Sequence, residues 1–212
     1  MNTQRLTRRE SQEATRARLV ESAERVFVRA GFDAASVEQI AEEAGFSRGA
    51  FYSNFKSKDE LFVELLDKKR LEAQGALSAI FREKKDARDR FRAARDWYAD
   101  HSGQRTWIVL KAEFNLRALR KRALRKRLSE SWRQEVEAYS ALLAQYFSEA
   151  GLKPAESPRA IAMALLAAAQ GFGMLWLPGS DAALDAIVDE SRKLAFDSLV
   201  PGPPRRDGKE QR

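Results

Sequence analysis

The 212-residue sequence predicts an all-α fold of about nine helices. Three observations carry this reading. Apolar residues recur at helical spacing along nearly the whole chain, as in Leu19, Ala23 and Phe27 with Val26 and Ala30 beside them. No segment alternates with period two for long enough to suggest a sheet. The six prolines, at 154, 158, 178, 201, 203 and 204, fall at or beyond the ends of the periodic segments.

Taken in order, the first helix starts near Thr7, where Thr7-Arg-Arg-Glu10 spells a capping box, or frays until about Thr15, and Gly31 stops it. The second begins at Ser36, again on a capping box (Ser36-Val-Glu-Gln39), and ends before Gly45. The third runs from Ser47 to about Asn54. The fourth has Ser57-Lys-Asp-Glu60 as its capping box, carries Leu61, Phe62, Leu65 and Leu66, and extends to about Phe81. Further helices are expected at 86–101, 105–119, 121–150, 157–177 and 182–199. The breaks between them are Ser102-Gly103, Gly151 to Pro158, and Pro178-Gly179.

Composition narrows the function. Hydrophobic residues make up 44% and charged residues 33%, which fits a globular chain. The 38 Lys and Arg against 31 Asp and Glu give +7, favouring an anionic partner such as nucleic acid. With no cysteine and one histidine, His101, there is no disulfide, thiolate nucleophile or Cys/His metal site, and no cofactor is expected. His101, beside the Ser102-Gly103 break, reads as a surface or loop residue. An enzyme is not expected: no Gly-rich phosphate loop is present, and carboxylate-only chemistry has no motif behind it. The basic N-terminus lacks the apolar segment of a secretory signal. Residues 160–177 are eighteen in a row without a charge, but six Ala, two Gly and one Gln suit a protein-buried helix better than a membrane span. No membrane partner and a cytoplasmic location are expected.

Residues 36–54 carry the decisive pattern: short helix, tight turn, short helix. Ala41 lets two helices cross closely, Gly45 permits the positive φ of a tight turn, and Ile40 and Phe51 can close a small core. A helix-turn-helix places its second helix in the DNA major groove, although the spacing alone also fits other three-helix bundles. The third helix would expose Ser47, Arg48, Gly49, Ala50, Tyr52, Ser53 and Asn54 while Phe51 and Phe55 point inward. No acidic residue occurs from Gly45 through Lys58, and Ser57 with Lys58 opens a helix suited to a phosphate oxygen.

Residues 15–66 resemble the DNA-binding region of the TetR/AcrR family of bacterial transcriptional repressors. The resemblance is densest in the Ala-Gly-Phe-Ser-Arg-Gly-Ala-Phe-Tyr-x-x-Phe-x-Ser-Lys-x-Glu-Leu core and covers about a quarter of the chain. It implies that Ser36 and Ser47 bind phosphates and that Arg48 reaches a guanine edge. Gly49 would let backbone approach the bases, Tyr52 would contact a phosphate or thymine methyl, and Lys58 would clamp the DNA backbone. Many members have His where this chain has Asn54. The implied organisation is a helix-turn-helix DNA-binding domain over 1–57 with a flexible arm at 1–14, an effector-binding and dimerisation domain over 58–200, and a disordered tail over 201–212. The arm's Arg5, Arg8 and Arg9 either track DNA or remain solvated.

The back half holds all four tryptophans, Trp97, Trp107, Trp132 and Trp176. Trp97, Trp107, Phe114, Tyr139, Met163 and Met174 are candidates to wall an effector pocket, or else they simply fill the core. Glu113, Asn115 and Gln170 lie within apolar helices and need partners that a ligand could provide. The effector is expected to be apolar or aromatic. The last two helices suit a homodimer interface, with Leu184, Val188, Ala195 and Leu199 along one face and Ile187 and Leu194 beside it. The expected function is therefore a repressor that binds a palindromic double-stranded DNA operator as a dimer and is released by a small molecule. The alternative is a helix-turn-helix interaction protein without specific DNA readout.

The charge itself is unevenly spread. Residues 1–70 carry only +1, whereas 82–133 carry +10, densest from Arg117 to Arg127. That stretch reads as a solvated helix face, as a site for an acidic effector, or as a source of long-range attraction for DNA.

Overall fold

A computed structural model describes residues 7–102, 105–175 and 182–203. Its described residues form nine α-helices: α1 Arg8–Ala30, α2 Val37–Glu43, α3 Arg48–Asn54, α4 Lys58–Glu83, α5 Ala87–Ser102, α6 Arg105–Leu119, α7 Arg122–Ala150, α8 Pro158–Leu175 and α9 Ala182–Leu199. Trp176, Pro178, Gly179 and nearly all of the tail lie outside the described residues, as does the side chain of His101. Among the described residues no helix is long and apolar enough to cross a membrane.

The chain divides into two compact units, one of residues 1–71 with 109–131, the other of 72–108 with 132–212. The first unit is built around aromatic rings from four separate segments. Phe27, Phe32, Phe62 and Phe114 are fully buried, and Phe62 and Phe114 lie 4.4 Å apart, with Phe32 5.0 and 5.2 Å from each. Helix α1 starts at the earlier of its two expected positions. The Thr7 hydroxyl accepts the Glu10 N–H while Glu10 accepts the Thr7 N–H, so two otherwise unpaired donors of the first turn are satisfied together.

The capping box expected at Ser57 forms only in half. Ser57 Oγ accepts the Glu60 N–H at 3.2 Å, but the Glu60 carboxylate takes the Lys56 N–H at 2.8 Å rather than that of Ser57. The second unit packs α8 against α9 and both against α5. Its core holds Phe81, Tyr98, Tyr146, Phe147, Phe196 and Val200.

Candidate nucleic-acid interface and ligand cavity

In the first unit, α2 and α3 are set by local hydrogen bonding. Ser36 and Gln39 cap α2 reciprocally, and Ser47 Oγ accepts the Ala50 N–H at 3.2 Å to start α3. Between them Gly45 adopts φ +72°, and the Phe46 N–H donates to Ala41 O at 2.8 Å, which closes the turn. Arg18 of α1 fixes the turn from behind. Its guanidinium donates to Ala44 O at 2.8 Å and lies 4.7 Å from the Phe46 ring centroid.

This framework buries Phe51 and Phe55 and turns the opposite face of α3 outward. Ser47, Arg48, Gly49, Tyr52 and Ser53 are exposed, and Ala50 and Asn54 are half-buried. Arg48 pairs with Glu38 at 2.9 Å and lies 5.5 Å from the centroid of Tyr52. Ser53 donates to Gly49 O at 3.0 Å. Asn54 is more enclosed than its helical position suggested: its Nδ2 donates to Ala50 O at 2.8 Å, and its backbone oxygen accepts from Arg16. A Cβ at Gly49 would meet nothing closer than Ser47 Oγ at 3.6 Å, so the fold itself does not require glycine there.

A shallow groove runs beside α3, lined by Ala50, Ser53 and Asn54 and, from the first turns of α1, by Arg8, Ser11, Gln12 and Thr15. In sequence, Ser11, Gln12 and Thr15 have the pattern of an ordinary solvated helix face, and only the packing of α1 on α3 brings them alongside this surface.

Lys58 is deeply engaged in the same unit. Its ammonium donates to Phe32 O and Ala35 O at 2.6 Å each and to Asp33 O at 3.2 Å, gathering the loop between α1 and α2 onto the start of α4. Burial, reinforced by nearby Arg117, holds its pKa below the usual lysine value. Ser36, half-buried, lies at the end of that gathered loop.

The expected effector residues divide among several places. In the second unit a cavity of about 90 Å³ is lined by Trp97 and Tyr139 together with Phe91, Leu143, Leu165, Phe196 and other apolar side chains. Trp107, Met163, Gln170 and Met174 stand elsewhere in that unit. Met163 and Met174 are about half exposed, and Gln170 donates to Ile108 O at 3.4 Å. Glu113, Phe114 and Asn115 belong to the first unit: Phe114 is in its aromatic core, and Glu113 accepts the Phe32 N–H at 2.9 Å.

The polar groups at the cavity already have partners. Tyr98 donates to Leu165 O at 2.9 Å and Tyr146 to Pro201 O at 3.2 Å; burial pushes each phenol up to about 12. Arg90 pairs with Glu149 and donates to Lys84 O. The walls therefore offer contact area and almost no free hydrogen-bonding capacity.

Comparison with known proteins agrees with this geometry. The family model described as bacterial regulatory proteins, tetR family, matches residues 19–65, which span α1 through the start of α4. The HTH-type transcriptional regulator TtgR of Pseudomonas putida is 48% identical over 63 residues, covering 30% of this chain and 30% of TtgR, so the match spans under a third of that relative. A TetR-family regulator from Mesorhizobium loti superimposes with a TM-score of 0.70 at 18% identity, covering 92% of this chain and 97% of the other. FadR from Bacillus subtilis, solved in complex with stearoyl-CoA, does so with a TM-score of 0.61 at 16% identity, covering 88% and 98%. The fold is thus shared along the chain, whereas sequence likeness concentrates on the helix-turn-helix. Residues 19–65 therefore match the tetR family of bacterial regulatory proteins, and the chain as a whole shares the fold of solved regulators of that family.

Proposed function

We propose that this chain is a ligand-responsive transcriptional regulator rather than an enzyme. It acts as a repressor that binds a palindromic operator as a homodimer and leaves it when an apolar effector enters the second unit. The observation that carries the DNA reading is the outward face of α3. Arg48, Tyr52 and Ser53 stand exposed on a rigid seven-residue helix whose other side is locked by Phe51, with no acidic residue from Gly45 through Lys58. Arg48 supplies the fork that matches guanine O6 and N7, and Tyr52 supplies an apolar edge for a thymine methyl or a hydroxyl for phosphate. Ser36, Ser47 and Asn54 are assigned to phosphates, and Ala50 and Gly49 to close approach.

Exposed apolar stripes on α8 and α9 support dimerisation, and a two-fold pair sets two recognition helices roughly 34–36 Å apart. The cavity supports the effector class. Its volume of about 90 Å³ is smaller than the ~150 Å³ engineered cavity that admits benzene. An effector must therefore spread the walls, and it binds best to a conformation in which they are already apart. That preference is the condition for a population shift. The stearoyl-CoA in the FadR structure carries a long acyl chain, which supports an aliphatic portion in the ligand.

Selection of duplexes from a random pool by the purified chain tests this reading. A palindrome enriched by wild type and lost with Arg48→Ala and Tyr52→Ala is expected. Enrichment of no sequence would falsify the DNA reading and favour a helix-turn-helix module that binds protein. Titration of the bound complex with fatty acids and aromatic compounds tests the second half. Release by compounds that also raise the melting temperature is the expected outcome.

A further inference from the structure

The net charge of the chain is a property of one unit. Residues 1–71 with 109–131 hold 21 basic and 14 acidic residues, or +7, whereas the second unit is neutral with 17 of each. Most of the excess comes from the end of α6 and the start of α7. From Phe114 through Ser129 there are seven basic residues and no acid.

The structure divides these seven by role. Arg117 and Lys121 each bind the Asp59 carboxylate at 2.7 Å, Arg117 also faces Asp33 at 3.5 Å, and Arg127 faces Glu60 at 4.0 Å. Leu124 and Leu128 are buried on the same side, and Ser131 donates to Asp67 at 2.9 Å. The turn is thus docked on the first turns of α4 and on the loop that precedes Ser36. The remaining four, Arg120, Arg122, Arg125 and Lys126, are exposed. Arg122, Arg125 and Lys126 share one face of α7 at i, i+3 and i+4, where like charges repel and cations oppose the helix dipole. The fold places them there at a cost that a polyanion would relieve.

We propose that Arg120, Arg122, Arg125 and Lys126 form a second DNA contact, engaging backbone phosphates that flank the bases read by α3. This rests on the DNA-binding reading and extends it. The docked residues hold the patch near Asp33, in the loop that leads to Ser36, and near the start of α4, within the same compact unit as α3. The contact carries no base readout, so it supplies affinity and salt dependence but leaves sequence preference to Arg48 and Tyr52.

The test uses the full chain, the duplex that wild type selects from a random pool, the same duplex trimmed to its selected core, and a scrambled duplex. Arg122→Gln, Arg125→Gln and Lys126→Gln are combined, and folding is verified by circular dichroism. The combined variant should bind the long duplex about tenfold or more weakly, with the slope of log K against log salt shallower by about 0.9 per lost phosphate contact. Its ratio of selected to scrambled binding should equal that of wild type, and on the trimmed duplex the two proteins should converge. A folded variant with wild-type affinity and slope on the long duplex overturns the proposal. That result would leave the patch, with Leu116 and Leu119 each 65% exposed nearby, to a protein partner. Loss of the selected-to-scrambled ratio also overturns it. Failure of wild type to select any duplex overturns this proposal and the DNA reading together, whereas the other two failures leave the DNA reading standing.

Discussion

Glu113 of α6 accepts the backbone N–H of Phe32 at 2.9 Å, although the two residues are 81 positions apart. The carboxylate also lies 3.5 Å from where a Cβ at Gly31 would stand, so it seals the end of α1. Glu113→Ala leaves the Phe32 donor unpaired in a half-buried setting and should cost about 1–3 kcal/mol. Glu113→Gln retains an acceptor and should cost less. Urea denaturation of the two variants checks this; equal losses would show that charge, not the hydrogen bond, matters.

The Arg48–Glu38 pair at 2.9 Å occupies the guanidinium in the free protein, and both side chains are more than half exposed. In the proposed DNA reading, Glu38 has to be displaced before Arg48 reaches a base. An exposed pair of this kind is worth about 0.2–1 kcal/mol, so Glu38→Gln should tighten DNA binding by roughly that amount. Fluorescence anisotropy on the selected duplex measures it, and weaker binding would show that Glu38 orients Arg48 instead of restraining it.

Gly49 separates stability from function. Within α3 it has room for a Cβ, so Gly49→Ala should stabilise the chain by about 0.5–1 kcal/mol through lower unfolded-state entropy. The added methyl sits on the exposed face proposed to approach DNA and should weaken binding to the selected duplex by about 1–3 kcal/mol. Thermal melts and binding isotherms on the same preparation read both effects. Stabilisation without weaker binding would mean that the bases do not come close to this turn.

The sequence made the local architecture legible, because capping boxes at Thr7 and Ser36, the glycine turn at 45 and helical periodicity are all short-range signals. The polar residues of the later helices were a different matter. Glu113 and Gln170 looked like groups waiting for a ligand, but their partners are the Phe32 N–H and the Ile108 carbonyl, which only the fold brings near. Of the aromatic candidates, Trp97 and Tyr139 reach the cavity while Phe114 enters the other core. Nothing in a helical repeat distinguishes those fates, since each position is apolar for the same local reason. Arg117, Lys121 and Arg127 likewise resembled a solvated face until α4 placed Asp59 and Glu60 opposite them.

Asp59 makes that docking sensitive to acid. Burial raises its pKa, but hydrogen bonds from Lys121 and Arg117 outweigh the burial and hold it below the ordinary value of 3.8. A carboxyl whose folded pKa is depressed stabilises the fold fully above its unfolded value and loses that contribution as pH falls toward the folded one. Asp59→Asn should therefore be less stable than wild type at neutral pH and show a flatter stability profile below about pH 4. Urea midpoints across the acid range test this, and parallel profiles would assign the acid sensitivity to other carboxylates.

The outer faces of α8 and α9 supply the last expectation. Met163 and Met174 on α8, and Leu184, Ile187 and Leu194 on α9, are 49%, 52%, 37%, 56% and 64% exposed. On α9 the three fall at i, i+3 and i+10, a single stripe facing away from the buried Phe196. The expected face of Val188, Ala195 and Leu199 is instead half-buried, so the stripe that a second copy can cover is rotated toward Ile187 and Leu194. An apolar patch of this kind on a monomer is a candidate for self-association. Charge placed there should separate subunits without disturbing the cavity, whose α9 contribution is Phe196. Ile187→Glu with Leu194→Glu should sediment as a monomer, keep its helicity and lose most affinity for a two-half-site duplex, while a single half-site is bound as weakly as by wild type. A variant that stays dimeric would move the interface off this stripe.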